Sequence, residues 1–147
     1  MKRDIPAIRI FPMSDKIPGF RNRSIEDVQQ RVFLRDLPAR GGRYRYPSAG
    51  LNAPAGTLVL FQFQARIIAT GIFLHDEKFP RKIGGCSGEL QFDPKSFCVF
   101  EPLDLEAMRK IWPSFRAFGH VKQYLNPAMH AKFRRKLREI ASPEAKL

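Results

Sequence analysis

The sequence predicts an α+β domain: a small curved sheet or β-barrel of about five strands with flanking helices. Three observations predict it. Two apolar runs, Thr57 to Phe63 (T-L-V-L-F-Q-F) and Arg66 to Leu74 (R-I-I-A-T-G-I-F-L), follow each other across a tight turn at Gln64-Ala65. Capping residues open helices at Ser24, Asp104 and Asn126. A length of 147 residues, 44% of them hydrophobic, suits one domain with one core of ordinary size.

The elements follow in order. Ala7 to Phe11 (A-I-R-I-F) alternates well enough for one short strand. Ser24 caps a helix, with Asp27 at its third position and Ile25, Val28 and Val32 at helical spacing. Leu37-Pro38 is expected to close it, because the residue before proline disfavours the helical region. Residues 38–56 read as a long loop that carries Tyr44 and Tyr46 among arginines, glycines and prolines. That aromatic content suits a binding loop better than a linker. The hairpin 57–74 is apolar throughout, so it is central and covered on both faces. Gly71 within it suggests a bulge or a barrel bend. Residues 75–86 are polar, hold Pro80 and Gly84-Gly85, and read as a connection. Glu89 to Phe92 and Ser96 to Phe100 are two further strands joined by Asp93-Pro94-Lys95. Asp104 caps a helix that runs to about Trp112 and ends at Pro113. Asn126 caps the last helix, with Pro127 at its first position and Met129, Phe133, Leu137 and Ile140 as the buried stripe.

Charge points to a partner. Lys and Arg number 26 against 14 Asp and Glu, a formal net charge of +12 that repels itself in the folded state. Such a surface suits a polyanion, whose bound counterions are released on association. No apolar run approaches the ~20 residues that cross a bilayer, and the N-terminus shows no secretory leader. Two cysteines, Cys86 and Cys98, make no disulfide framework and no zinc pattern, so a reducing, cytoplasmic setting is expected. No cofactor and no metal are expected.

Catalytic patterns are thin. His75-Asp76-Glu77 places three functional groups in succession, but neighbours on a strand point different ways. His120 and His130 have no companions, and Ser87 in G-G-C-S-G lacks the nucleophile-elbow spacing. Binding patterns are richer. Tyr44, Tyr46, Trp112, Phe115 and Phe118 lie in loops or at helix ends, with Arg43, Arg45, Arg116 and Lys122 close by in sequence. Aromatic planes stack bases and adjacent cations hold phosphates. Five cations, Lys132, Arg134, Arg135, Lys136 and Arg138, fall within seven residues of the last helix, too dense for an ordinary solvated face.

The stretch 44–73, Y-R-Y-P-S-A-G-L-N-A-P-A-G-T-L-V-L-F-Q-F-Q-A-R-I-I-A-T-G-I-F, resembles the PUA-like superfamily. Within it, the stretch is most similar to the EVE-like domains attached to modification-dependent restriction endonucleases. The matching residues are Tyr44, Tyr46, Ser48, Gly50, Pro54, Gly56 and Thr57, with the two apolar strands behind them. The segment 112–125 looks like that family's later pocket-forming region. The resemblance implies a small β-barrel with flanking helices that binds a flipped, modified base, 5-methylcytosine or 5-hydroxymethylcytosine, in an aromatic cage on double-stranded DNA. It also implies that cutting belongs to a separate nuclease domain or subunit. On this reading Tyr46 and Trp112 form the cage, with Tyr44, Phe115 or Phe118 as alternates. Ser48 or Asn52 would hydrogen-bond the base edge. Arg43, Arg45, Arg116, Lys122, Lys132, Arg134, Arg135 and Arg138 would hold the DNA backbone. Two other readings stay open: an RNA-binding PUA-like module, and a small ribonuclease or hydrolase working through His75, Asp76, Glu77 or His120.

Overall fold

A computed structural model describes residues 5–13, 20–47, 50–119 and 122–140. Seven strands form one open mixed sheet, and three helices pack on it. The strands are β1 (Ile8–Pro12), β2 (Arg43–Tyr46), β3 (Leu58–Phe63), β4 (Arg66–Ile83), β5 (Cys86–Phe92), β6 (Cys98–Leu103) and β7 (Gln123–Leu125). Their order is β2-β5-β4-β3-β1-β7, with β6 also on β4. Only β1 and β3 run parallel among these pairs; the rest are antiparallel. The mixed α+β class expected from the sequence is what forms, but the sheet does not close into a barrel and holds seven strands among the described residues where about five were expected.

The central hairpin forms as predicted. Gln64 and Ala65 both take positive φ, 51° and 57°, which is the two-residue turn that matches strand twist. Every residue of β3 is buried. Its side chains alternate between two cores, Leu58 and Leu60 on one face, Val59, Phe61 and Phe63 on the other.

β4 is the longest element, at 18 residues, and organises the sheet. Its first half pairs β3 on one flank and β6 on the other; its second half pairs β5. β5 and β6 therefore lie end to end along β4. Residues 75–86, expected to be a connection, are the second half of this strand and its turn. Their polarity reflects exposure, not irregularity, since Leu74 to Ile83 is mostly exposed. Gly84 and Gly85, both at positive φ, turn the chain back into β5. Pro80 falls in the gap between the Lys78 and Ile83 pairings, where the ladder needs no donor. Gly71 is not the bulge. Its missing Cβ admits the Phe97 ring, which would stand 3.0 Å from one. The bulge is at Ile68, which neither β3 nor β6 pairs.

The first helix, α1, runs through residues 25–39 in three consecutive pieces, Ile25–Val28, Gln29–Asp36 and Leu37–Ala39. Ser24 Oγ accepts from the Asp27 N–H at 3.1 Å, the predicted cap. The middle piece is wound with π spacing, and Leu37 N–H reaches back to Val32 O. Pro38 does not end the helix as expected, because it enters where the ladder has already widened; the helix passes it by one residue. Val28, Val32, Phe33 and Leu37 of α1 cover the face that carries Phe61 and Phe92. α2 (Leu105–Ile111) and α3 (His130–Ile140) cover the other face with Met108, Ile111 and Phe133. Asp104 and Asn126 cap as predicted, accepting from Ala107 N–H and Ala128 N–H at 2.9 Å each. A single 3₁₀ turn, Pro127–Met129, precedes α3. Among the described residues no helix is long and apolar enough to cross a membrane.

Candidate nucleic-acid interface

The R-Y-R-Y segment is a strand, β2, and not a loop. It alternates strictly, with Arg43 and Arg45 exposed and Tyr44 and Tyr46 buried. The two tyrosines do share a face, but that face is inward. Tyr46 lies opposite Gly88 of β5, where a Cβ would collide with its hydroxyl. Its Oη–H donates to Asp76 Oδ1 at 2.6 Å. Burial first, then that hydrogen bond and the carboxylate's charge, push its phenol up to about 12. Gly50 closes over the pair; a Cβ there would strike Asp76 Oδ2. Tyr44 sits edge-on to Phe11 at 5.4 Å and close to parallel with Phe20, at 6.5 Å and 18°. Burial holds its phenol well above the ordinary range.

The expected partners of these rings are elsewhere. Trp112 packs on Phe133 at 5.3 Å, and its indole N–H donates to Asn126 O at 3.0 Å. Phe115 is buried beside it, and Phe118 is half-buried with its ring 5.2 Å from Phe115. All three belong to the core under α2 and α3, across the sheet from Tyr44 and Tyr46. The structure does not bring Tyr46 and Trp112 together, and a cage built from that pair is corrected. Ser48 and His120, each assigned a role from sequence, lie outside the described residues.

The remaining assigned residues scatter over three places. Arg43 and Arg45 are exposed and flank Glu89, at 3.9 and 3.5 Å. Arg116 is exposed, and its carbonyl accepts from Arg109 Nη2 at 2.5 Å. Lys132, Arg134, Arg135 and Arg138 are exposed along α3. Asn52 is exposed, and its carbonyl accepts from Arg9 Nη1 at 2.9 Å. Lys122 is half-buried, its ammonium 5.4 Å from the Phe11 ring centre.

Two recesses open beside the tyrosine strand. One, of about 420 Å³, lies between α1, β2 and the Gly84-Gly85 turn. Phe20, Tyr44, Val32 and Leu37 give it an apolar wall; Arg23, Arg40, Arg45 and Asp36 are the charged residues of its lining, with Arg23 paired to Asp27 and Arg45 to Glu89 just outside it. Asp36 uses Oδ1 to accept from Arg35 Nε at 3.0 Å. The other recess, of about 450 Å³, lies between residues 50–53 and the start of β4's outer half, with Asn52, His75, Asp76 and Lys78 on its walls. His75 and Glu77 are exposed, while Asp76 between them is held by Tyr46. Among the described residues no three of His, Cys, Asp and Glu gather to hold a metal ion.

No family model, curated protein or solved structure matches the chain. The reading of the site therefore stands on its geometry.

Sequence reasoning missed Phe20, Arg23 and Asp36 of the first recess, and Arg9 behind Asn52 of the second. Phe20 sits in a proline-interrupted stretch with no periodicity to mark it. Arg9 had a signal: it is the one cation inside the apolar strand A-I-R-I-F. It is 6% exposed and lies at the back of the polar cluster around Asn52 and Lys122.

Proposed function

We propose that the chain is a nucleic-acid-binding module that receives one base in the recess between α1 and β2. The observation that carries this is the combination there of an aromatic and aliphatic wall with three arginines in the lining, of which Arg23 and Arg45 pair with Asp27 and Glu89 and Arg40 has no ion pair among the described residues. A volume of about 420 Å³ suits a ring the size of a nucleobase. A base laid against Phe20 and Tyr44 would be out of its stack, a few kcal/mol uphill, offset by contact with the wall. Arg40 makes no ion pair among the described residues and is free for a phosphate. The exposed cations of α3 supply the longer-range attraction.

The finer reading is double-stranded DNA carrying 5-methylcytosine or 5-hydroxymethylcytosine, as the EVE-like resemblance implies. Asp36 favours cytosine, since a carboxylate accepts from the N4 amine. A buried methyl adds roughly 1 kcal/mol of discrimination. The PUA-like assignment is part of the proposal; the 44–73 string supports it, while the open sheet departs from that family's barrel. Cutting would fall to an attached nuclease domain or subunit. Cys86 and Cys98 are free thiols, in keeping with a reducing compartment.

Titration with matched duplexes, unmodified, 5-methylated and 5-hydroxymethylated, tests this at one stated salt concentration. Tighter binding of a modified duplex is expected, with affinity for modified and unmodified duplexes alike lowered in Asp36→Asn and several-fold in Arg40→Gln. Equal affinity for all three duplexes rejects modified-base reading. Wild-type affinity in both variants rejects the recess. A structured RNA that outcompetes every duplex moves the target from DNA to RNA.

A further inference from the structure

The outer edge of the sheet carries a second cluster that the recess does not use. β7 pairs antiparallel with β1, and the register sets Tyr124 opposite Arg9. Tyr124 is 71% exposed, far more than the other large apolar side chains at the surface. The Arg9 guanidinium lies 3.8 Å from its ring centre and covers one face, leaving the rest of the ring to solvent.

Arg9 itself is 6% exposed and short of partners. Its Nη1 donates to Asn52 O, but its buried Nε has no acceptor. It forms no ion pair among the described residues. Lys122, two residues before Tyr124, stands within electrostatic reach of Arg9. Burial first, and then the charge of Arg9, pull its ammonium pKa down, while Asp76 pushes it back up. Asp76, the carboxylate that acts on Lys122, already accepts from Tyr46. Two half-hidden cations thus face one committed anion. Buried charge without a partner is costly, and a bound anion relieves it.

We propose that the β1–β7 edge is a nucleotide-binding contact: a phosphate sits on Lys122 and Arg9, and the base of the same nucleotide stacks on the open face of Tyr124. The ligand class is a phosphodiester-linked nucleotide in an unpaired strand, because only an unpaired base can lie flat on an exposed ring. The class of ligand rests on the nucleic-acid reading above; the site does not depend on the recess.

Amide NMR titrations of the whole chain separate the possibilities, with oligo(dT), inorganic phosphate and thymidine as probes. Oligo(dT) is expected to shift the signals of Arg9, Lys122 and Tyr124. Tyr124→Ala should weaken that binding about 5- to 150-fold, and Tyr124→Phe should restore it. Lys122→Gln should lower the slope of log affinity against log salt by about 0.7. Circular dichroism checks that each variant is folded. Inorganic phosphate that reproduces all the shifts, with Tyr124→Ala silent, overturns the nucleotide and leaves a phosphate-ion site. Shifts confined to residues around Arg40 and Asp36 overturn this inference and leave the recess standing. Shifts confined to the β1–β7 edge support it, and the recess is then judged by the duplex titration alone.

Discussion

Gln29 sits where the β4 ladder breaks on both flanks. Its amide Nε2 donates to Ile68 O at 2.9 Å and to Phe100 O at 2.7 Å, joining α1 to the bulge and to β6. Both carbonyls are in the interior, where an unmet acceptor costs about 1–3 kcal/mol. Gln29→Leu keeps the volume and removes both donors. Urea unfolding should show a loss of about 2–3 kcal/mol; a loss under 0.5 kcal/mol would mean water takes the amide's place. Tyr46 gives a residue-scale test in pH. Its folded pKa is raised, to about 12, above an unfolded value near 10. Its contribution is complete below the lower value and drains away as pH climbs through the upper one. Wild-type stability should therefore decline between about pH 10 and pH 12, and the decline should be shallower in Tyr46→Phe. An identical profile in the two proteins would show that folding does not shift the ionisation of Tyr46.

At the scale of elements, much of the fold was legible. The hairpin 57–74 and the three caps each carry a local chemical signature and formed as read, while of the expected stripe on α3 Phe133 is buried and Met129, Leu137 and Ile140 pack half-buried beside it. Two elements were read wrongly because exposure resembles irregularity in one sequence. β2 was hidden by flanking glycine and proline although R-Y-R-Y alternates, and the outer half of β4 was hidden by its charges. The site suffered from the same ambiguity. Tyr44, Trp112 and Phe115 look like a binding set because cations lie within a few residues of each, yet next neighbours along a strand point to opposite sides. Which side faces the core is settled by tertiary packing, and no local signal records that Trp112 and Tyr46 end on opposite faces of the sheet. The hairpin turn offers a cleaner element-scale prediction. Gln64 and Ala65 are both left-handed without being glycine, at a cost of about 1 kcal/mol or more each. Ala65→Gly should raise stability by about 0.5 kcal/mol, the relief of strain exceeding the added chain entropy. A fall in the unfolding midpoint would show that the turn is not strained.

For the whole molecule, charge and topology pull in different directions. The exposed cations are spread over separate elements, with Arg43 and Arg45 on the edge strand β2 and the basic run on α3. A net charge of +12 carried in this way acts as a field that draws in a polyanion from a distance. Topology concentrates cohesion at one end of the longest strand. Residues 66–73 of β4 are gripped by neighbours on both flanks and sealed by helices above and below, whereas residues 74–83 hold β5 alone and face water. Deuterium uptake should expose this asymmetry. Amides in the gripped half should exchange only when the entire chain comes apart, and those in the free arm should exchange through smaller openings that leave the rest intact. The arm could then peel and re-zip many times within the lifetime of one folded molecule, carrying the Gly84-Gly85 lip of the recess with it.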